Sequence, residues 1–142
     1  VSSVAQLRAA FGVIHILPLE RADAESILEL AQLVVDADGG ESADEIKQYF
    51  AIGKLLFELA EVPDAEVPTF ASDEDDQARL FDLATSLKSV PTRELAFAVT
   101  RVLAEADLEI VGAEDTFLER LRTLLSISKE RADELDTLLR SA

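Results

Sequence analysis

The chain contains no cysteine, no methionine and no tryptophan. Without cysteine there is no disulfide, no thiolate metal site and no thiol nucleophile. Histidine occurs once, at His15, in an apolar stretch with no partner motif, and reads as a packed or boundary residue rather than a ligand or base. Five glycines, four prolines and 6% aromatics are few for 142 residues, which speaks against a sheet protein and for helices. No run of eighteen apolar residues exists, so no membrane-spanning helix is expected. The apolar stretch Phe11 to Leu17 lacks a basic leader and a cleavage site and does not read as a signal peptide. The missing methionine makes a processed or trimmed start the expectation, and the cytoplasm the expected location.

Positive charge is also scarce. Thirteen Lys and Arg face 29 Asp and Glu, a net −16. A field of that sign repels phosphate backbones and anionic lipid, so nucleic acid and membrane surfaces are excluded as partners. Cations and basic protein surfaces are the partners it attracts.

What is present is a chain with 49% hydrophobic residues, enough to bury roughly two-thirds of the unfolded surface without a disulfide or metal. One all-α domain spanning residues 1–142 is expected, with about seven helices packed ridges into grooves. The apolar spacing predicts a first helix over about Ser3–Ile16, stopped by Pro18, and a second over Ala24–Ala37, capped by Asp23 and ended by Gly39-Gly40. Ser42-Ala43-Asp44-Glu45 reads as a capping box opening the third, with Ile46, Tyr49, Phe50, Leu55, Leu56 and Leu59 apolar. Val62–Ala71, with Pro63 and Pro68, forms the longest loop. Ser72 is expected to cap a fourth helix through Leu87, whose first turn holds Asp73-Glu74-Asp75-Asp76 where the helix dipole favours negative charge. Thr92 caps a fifth over Arg93–Ala106, a sixth covers Ala113–Leu125, and Ser128 caps a seventh to Leu139.

A shift of 69 residues lays one helix–loop–helix unit (about 24–60) on another (about 93–125). Leu33-Val34-Val35-Asp36-Ala37-Asp38 falls on Val102-Leu103-Ala104-Glu105-Ala106-Asp107. Seven residues after each final Asp comes a glutamate, Glu45 and Glu114. Tyr49, Ile52, Leu55 and Leu56 fall on Leu118, Leu121, Leu124 and Leu125, and Glu25 and Leu30 on Glu94 and Val99. Two such units are expected to bury their apolar faces against each other about a pseudo-twofold axis.

Both units put acid where a helix wants base. Asp36 with Asp38, and Glu105 with Asp107, lie at helix C-termini, whose free carbonyls and partial negative charge prefer Lys or Arg. A bound cation removes the conflict, since carboxylates and carbonyls are the oxygen ligands of Ca²⁺ and Mg²⁺. The structural reading stands beside it. Asp tolerates the left-handed helix end, Glu45 is explained by the capping box, and neighbouring cations can pair with the acids. Glu114, following Val111-Gly112-Ala113, has no such box. The loop is not an EF-hand, for counting from Asp36 the sixth residue is Glu41 and the twelfth Lys47.

The run Asp38-Gly39-Gly40-Glu41-Ser42-Ala43-Asp44-Glu45 resembles the Ala-Asp-Gly-x-Ile-x-x-x-Glu loop of the TerB-like tellurite-resistance family, and Leu125-Ser126-Ile127-Ser128 before a last helix is similar to that family's C-terminal end. Glu41 stands where an apolar residue is usual, and in the second loop Leu108 stands where Gly is usual, while Ile110 keeps its place. The resemblance implies an all-α fold of two similar helix pairs with facing acidic loops, a role in tellurite and chemical-stress resistance, no catalysis, and a divalent cation (Ca, Mg, Mn or Zn) held by Asp38, Glu45, Asp107 and Glu114, with Asp36 and Glu105 as outer charge. The alternative is an interaction module whose acidic surface docks a basic protein without metal. No Gly-rich phosphate loop and no Glu-x-x-His di-iron motif occur, and no organic cofactor is expected.

Overall fold

Periodic apolar residues with few breakers fold as expected. The computed structural model is all helical among the residues it describes, which are 5, 7–9, 11, 19–37, 43–62, 64–70, 75–106 and 112–141. After helical residues at Ala5, Leu7–Ala9 and Phe11 come α1 (Arg21–Ala37), α2 (Ala43–Leu59), α3 (Asp76–Ser86), α4 (Val90–Ala106), α5 (Gly112–Leu124) and α6 (Lys129–Ser141). None is long and apolar enough to cross a membrane, among the described residues.

The 69-residue shift reappears in the helix boundaries. α1 and α4 start and end 69 residues apart, and α2 and α5 start 69 residues apart. The neighbours follow the same exchange. α1 packs on α4 at the centre; α1 also holds α2, α3 and α5, and α4 holds α5, α6 and α2. A single core joins them, with Leu28, Leu30, Ile52, Leu56, Phe57, Leu95 and Leu121 almost wholly buried, each such side chain contributing about 1.5–3 kcal/mol. Tyr49 is buried as expected, but Ile46 and Phe50 are more than a third exposed, because α2 packs along one side only.

Three helix starts differ from the sequence reading. α1 begins at Arg21, so Asp23 lies inside its first turn and does not cap it; Ala24 N–H already reaches the Glu20 carbonyl at 2.9 Å. α3 begins at Asp76 with Asp75 at the cap position, not at Ser72, which lies outside the described residues together with Asp73 and Glu74. α4 begins at Val90, and its cap is Ser89, whose Oγ accepts from Thr92 N–H at 3.3 Å. Pro91 sits in that first turn without cost, since its missing N–H would have no helical partner there. The Ser128 cap is where the sequence puts it, accepting from Arg131 N–H at 3.1 Å.

The second helix of each half stops in the same way. Val62 N–H reaches the Phe57 carbonyl and Glu61 N–H the Glu58 carbonyl, with Glu61 at φ 63°. Ile127 N–H reaches Arg122 and Ser126 N–H reaches Thr123, with Ser126 at φ 60°. Both are Schellman ends, with a residue other than glycine at the left-handed position.

Candidate functional site

The acid-bearing helix ends are the first candidate. Asp36 and Glu105 are each the second-last residue of their helices, α1 and α4, and neither helix has a basic residue in its last turn. Glu45 and Glu114 are each the third residue of the helix that follows, α2 and α5. The backbone thus gives the two glutamates one equivalent position. Asp38 and Asp107 lie outside the described residues, as do the side chains of Asp36, Glu45, Glu105 and Glu114, together with His15 and the glycines Gly39 and Gly40. Among the described residues, no group of three or more His, Asp or Glu side chains is placed to hold a metal ion. By residue type the two loops offer carboxylates, hard oxygen donors that suit Ca²⁺, Mg²⁺ or Mn²⁺ better than a soft metal.

Elsewhere the charged side chains are used to join helices. Glu29 on α1 is 8% exposed and takes a two-pronged contact from Arg79 on α3, through Nε to Oε2 and through Nη2 to Oε1 at 2.6 Å. Glu94 on α4 is equally buried and takes the same contact from Arg131 on α6, at 2.7 and 2.9 Å. The Glu94 hydrogen bond is also the main reason the Arg131 guanidinium holds its proton still more firmly than usual. Paired forks of this kind are strong and directional, and they fix the third helix of each half against the first. Sequence reasoning missed both, because partners 50 and 37 residues apart carry no local signature.

Two grooves lined by described residues flank the bundle. One, of about 540 Å³, lies where α4, α5 and α6 meet and is lined by Phe97, Arg101, Leu118, Arg122, Lys129 and Asp136 among others. Both of its arginines are engaged: Arg101 with Asp136 at 3.0 Å, and Arg122 with Glu119 at 2.6 Å and the Ile127 carbonyl at 2.7 Å. The other, of about 670 Å³, runs beside Phe50, Lys54 and Glu58 of α2 and the segment Asp64–Val67. Among the described residues that line them, neither has a serine, threonine or cysteine.

No family model, no curated protein and no solved structure matches this chain.

Proposed function

We propose that the chain is a noncatalytic, TerB-like helical domain that binds a divalent cation through carboxylates of its two helix–loop–helix turns and serves in a tellurite or chemical-stress response. Asp38, Glu45, Asp107 and Glu114 are the ligands, with Asp36 and Glu105 as outer negative charge. One observation carries the reading. α1 and α4, 69 residues apart at both ends, each finish in an acidic last turn without a basic residue, and each is followed by a helix whose third residue is glutamate. Local rules broken twice, in the same place, point to a functional position. A bound cation would offset the carboxylates and the negative end of each helix dipole together.

Calorimetric titration of the purified chain with Ca²⁺, Mg²⁺, Mn²⁺ and Zn²⁺ tests it. Saturable heat with at least one metal, lost in Asp38→Asn and in Asp107→Asn, is expected; none with any of the four would end the metal reading. The second reading, a metal-free acidic module that docks a basic protein, is favoured by the exposed pair Ile46 and Phe50 on α2 in a chain of net −16. Its signature is partner affinity that falls steeply with salt.

A further inference from the structure

Among the described residues the large apolar side chains left exposed are Ile46, Phe50, Phe81 and Val90. Phe81 and Val90 stand singly on α3 and α4, as scattered apolar residues do on any protein surface. Ile46 and Phe50 are four residues apart on α2, and Phe50 lines the groove of about 670 Å³. Its ring meets that of the buried Tyr49 edge-on, with the centroids 5.3 Å apart.

The other wall of that groove, the segment Asp64–Val67, is tied to the helices. Val67 sits over Gly53, where an added Cβ would lie 2.5 Å from its Cγ1. Just beyond, the Tyr49 hydroxyl donates to the Pro68 carbonyl at 2.6 Å. The Gln32 side chain pairs with both main-chain groups of Phe70, at 2.6 and 2.8 Å. The groove is therefore formed in the free chain.

Charge decides what this face fits. At about 100° per residue, Ile46, Phe50, Lys54 and Lys47 fall within one arc of about 100° on α2. Two of the four lysines of a chain of net −16 thus flank the exposed apolar pair. The opposite wall carries Asp64 and Glu66. All four charged side chains are exposed, and among the described residues none of them makes an ion pair or a side-chain hydrogen bond. Glu58, also in the groove, is taken by Arg8 at 2.6 Å. A basic partner would meet Lys47 and Lys54 here, and an acidic partner Asp64 and Glu66. A second copy of the chain brings both signs, together with an apolar pair to cover the first, which is the self-complementarity a twofold contact needs.

We propose that this face is a homodimer contact, in which the Ile46–Lys54 stripe of each copy lies on that of the other and Lys54 of each faces Asp64 and Glu66 of the other. The patch is small, so the dimer is weak and concentration-dependent. Two chains of net −16 repel each other at a distance, and salt screens that repulsion beyond about 8 Å at 0.15 M. Association therefore strengthens as salt rises. A docked basic partner shows the opposite sign, which separates this contact from the acidic-module reading.

Sedimentation equilibrium of the full chain, from about 5 to about 500 µM and at about 50 and 300 mM NaCl, tests it. The mass should climb toward twice that of the monomer, with a Kd at least about 3-fold lower at the higher salt. Phe50→Glu should remain monomeric throughout. Lys54→Glu, at an exposed site that leaves the core untouched, should raise the Kd at least about 10-fold, and Lys54→Glu with Glu66→Lys should recover most of that loss. Three results would overturn the proposal: a monomer at every concentration and salt, a dimer that Phe50→Glu leaves intact, or no recovery when the two charges are exchanged.

Discussion

In the first half of the bundle sixteen residues, 60–75, join the second helix to the third; in the second half four residues, 125–128, do the same work. The two halves nevertheless share their framework. Each has a 17-residue first helix, a second helix ending in a Schellman turn, and a third helix tied to the first by a fork of arginine on buried glutamate. The forks are one helical turn out of register, Glu29 being the ninth residue of α1 and Glu94 the fifth of α4. What differs is the connection and the side chains under it. Helix packing and one buried ion pair therefore set the frame, while a connection is free to lengthen wherever side chains on the helices beneath it can hold its main chain.

The comparison breaks most readily at the forks. Arg79→Met and Arg131→Met each leave a buried carboxylate unpaired and should cost about 2–4 kcal/mol in urea denaturation, below the full cost of a deeply buried pair because both arginines reach solvent. Adding Glu29→Leu to Arg79→Met should recover most of the loss. If Arg131→Met costs under about 1 kcal/mol while Arg79→Met costs the full amount, the two forks are not equivalents.

Gly53→Ala acts in the first half alone. Helix propensity favours alanine by about 1 kcal/mol, but overpacking against Val67 costs about 1–3 kcal/mol, so a net loss of about 1 kcal/mol is expected. In a Val67→Ala background the same change should turn stabilising. A gain in the wild-type background would mean that Val67 is not seated on Gly53.

The Schellman ends predict equal effects in both halves. Glu61→Gly and Ser126→Gly remove left-handed strain and should each raise stability by about 0.5–1 kcal/mol, after the added freedom of glycine in the unfolded chain is subtracted. Unequal gains would set the two ends apart.

The smallest effect is confined to the second half. The hydrogen bond from Arg122 holds the Glu119 carboxyl below the usual carboxylate range, with the Arg122 and Lys129 charges adding to it against partial desolvation. A depressed carboxylate stabilises the fold above its unfolded pKa, and that contribution is lost as the pH falls through the folded value. Glu119→Gln should therefore be slightly less stable than wild type at pH 7 and equal to it at about pH 2, in denaturation series at the two pH values.

Much of the frame was legible because helical spacing repeats. The apolar faces of α1, α2 and α4, the Ser128 cap and the buried Tyr49 followed from periodicity and capping chemistry alone. The missed starts have physical reasons. Pro91 reads as a boundary although the first turn accepts it, and residues 72–76, a serine followed by four acids, offer four candidate caps (Ser72, Asp73, Asp75 and Asp76) with nothing local to choose among them. Ile46 and Phe50 fit the apolar stripe of α2, but a stripe gives no hint of which part the neighbouring helices leave open. The Glu29–Arg79 and Glu94–Arg131 forks and the Gln32 clamp on Phe70 join residues 37 to 50 apart, and no local pattern encodes them. The acidic helix ends were legible as an electrostatic anomaly, and Glu45 and Glu114 fall at one equivalent helix position. Asp38 and Asp107 lie outside the described residues.

The claim that both halves share one cation is tested most directly by the melting temperature with and without metal. A native-state site stabilises by RT ln(1 + [L]/Kd), about 1.4 kcal/mol for a Kd of about 0.1 mM and about 1 mM free metal. For a chain of this length that is a rise of about 4–6 °C, measured against NaCl at matched ionic strength because salt alone screens a net −16. With one shared site, Asp38→Asn or Asp107→Asn alone should abolish most of the rise, and the double variant should add little. Two additive losses would contradict a shared site, and no rise above the NaCl control with any of the four metals would contradict metal binding altogether.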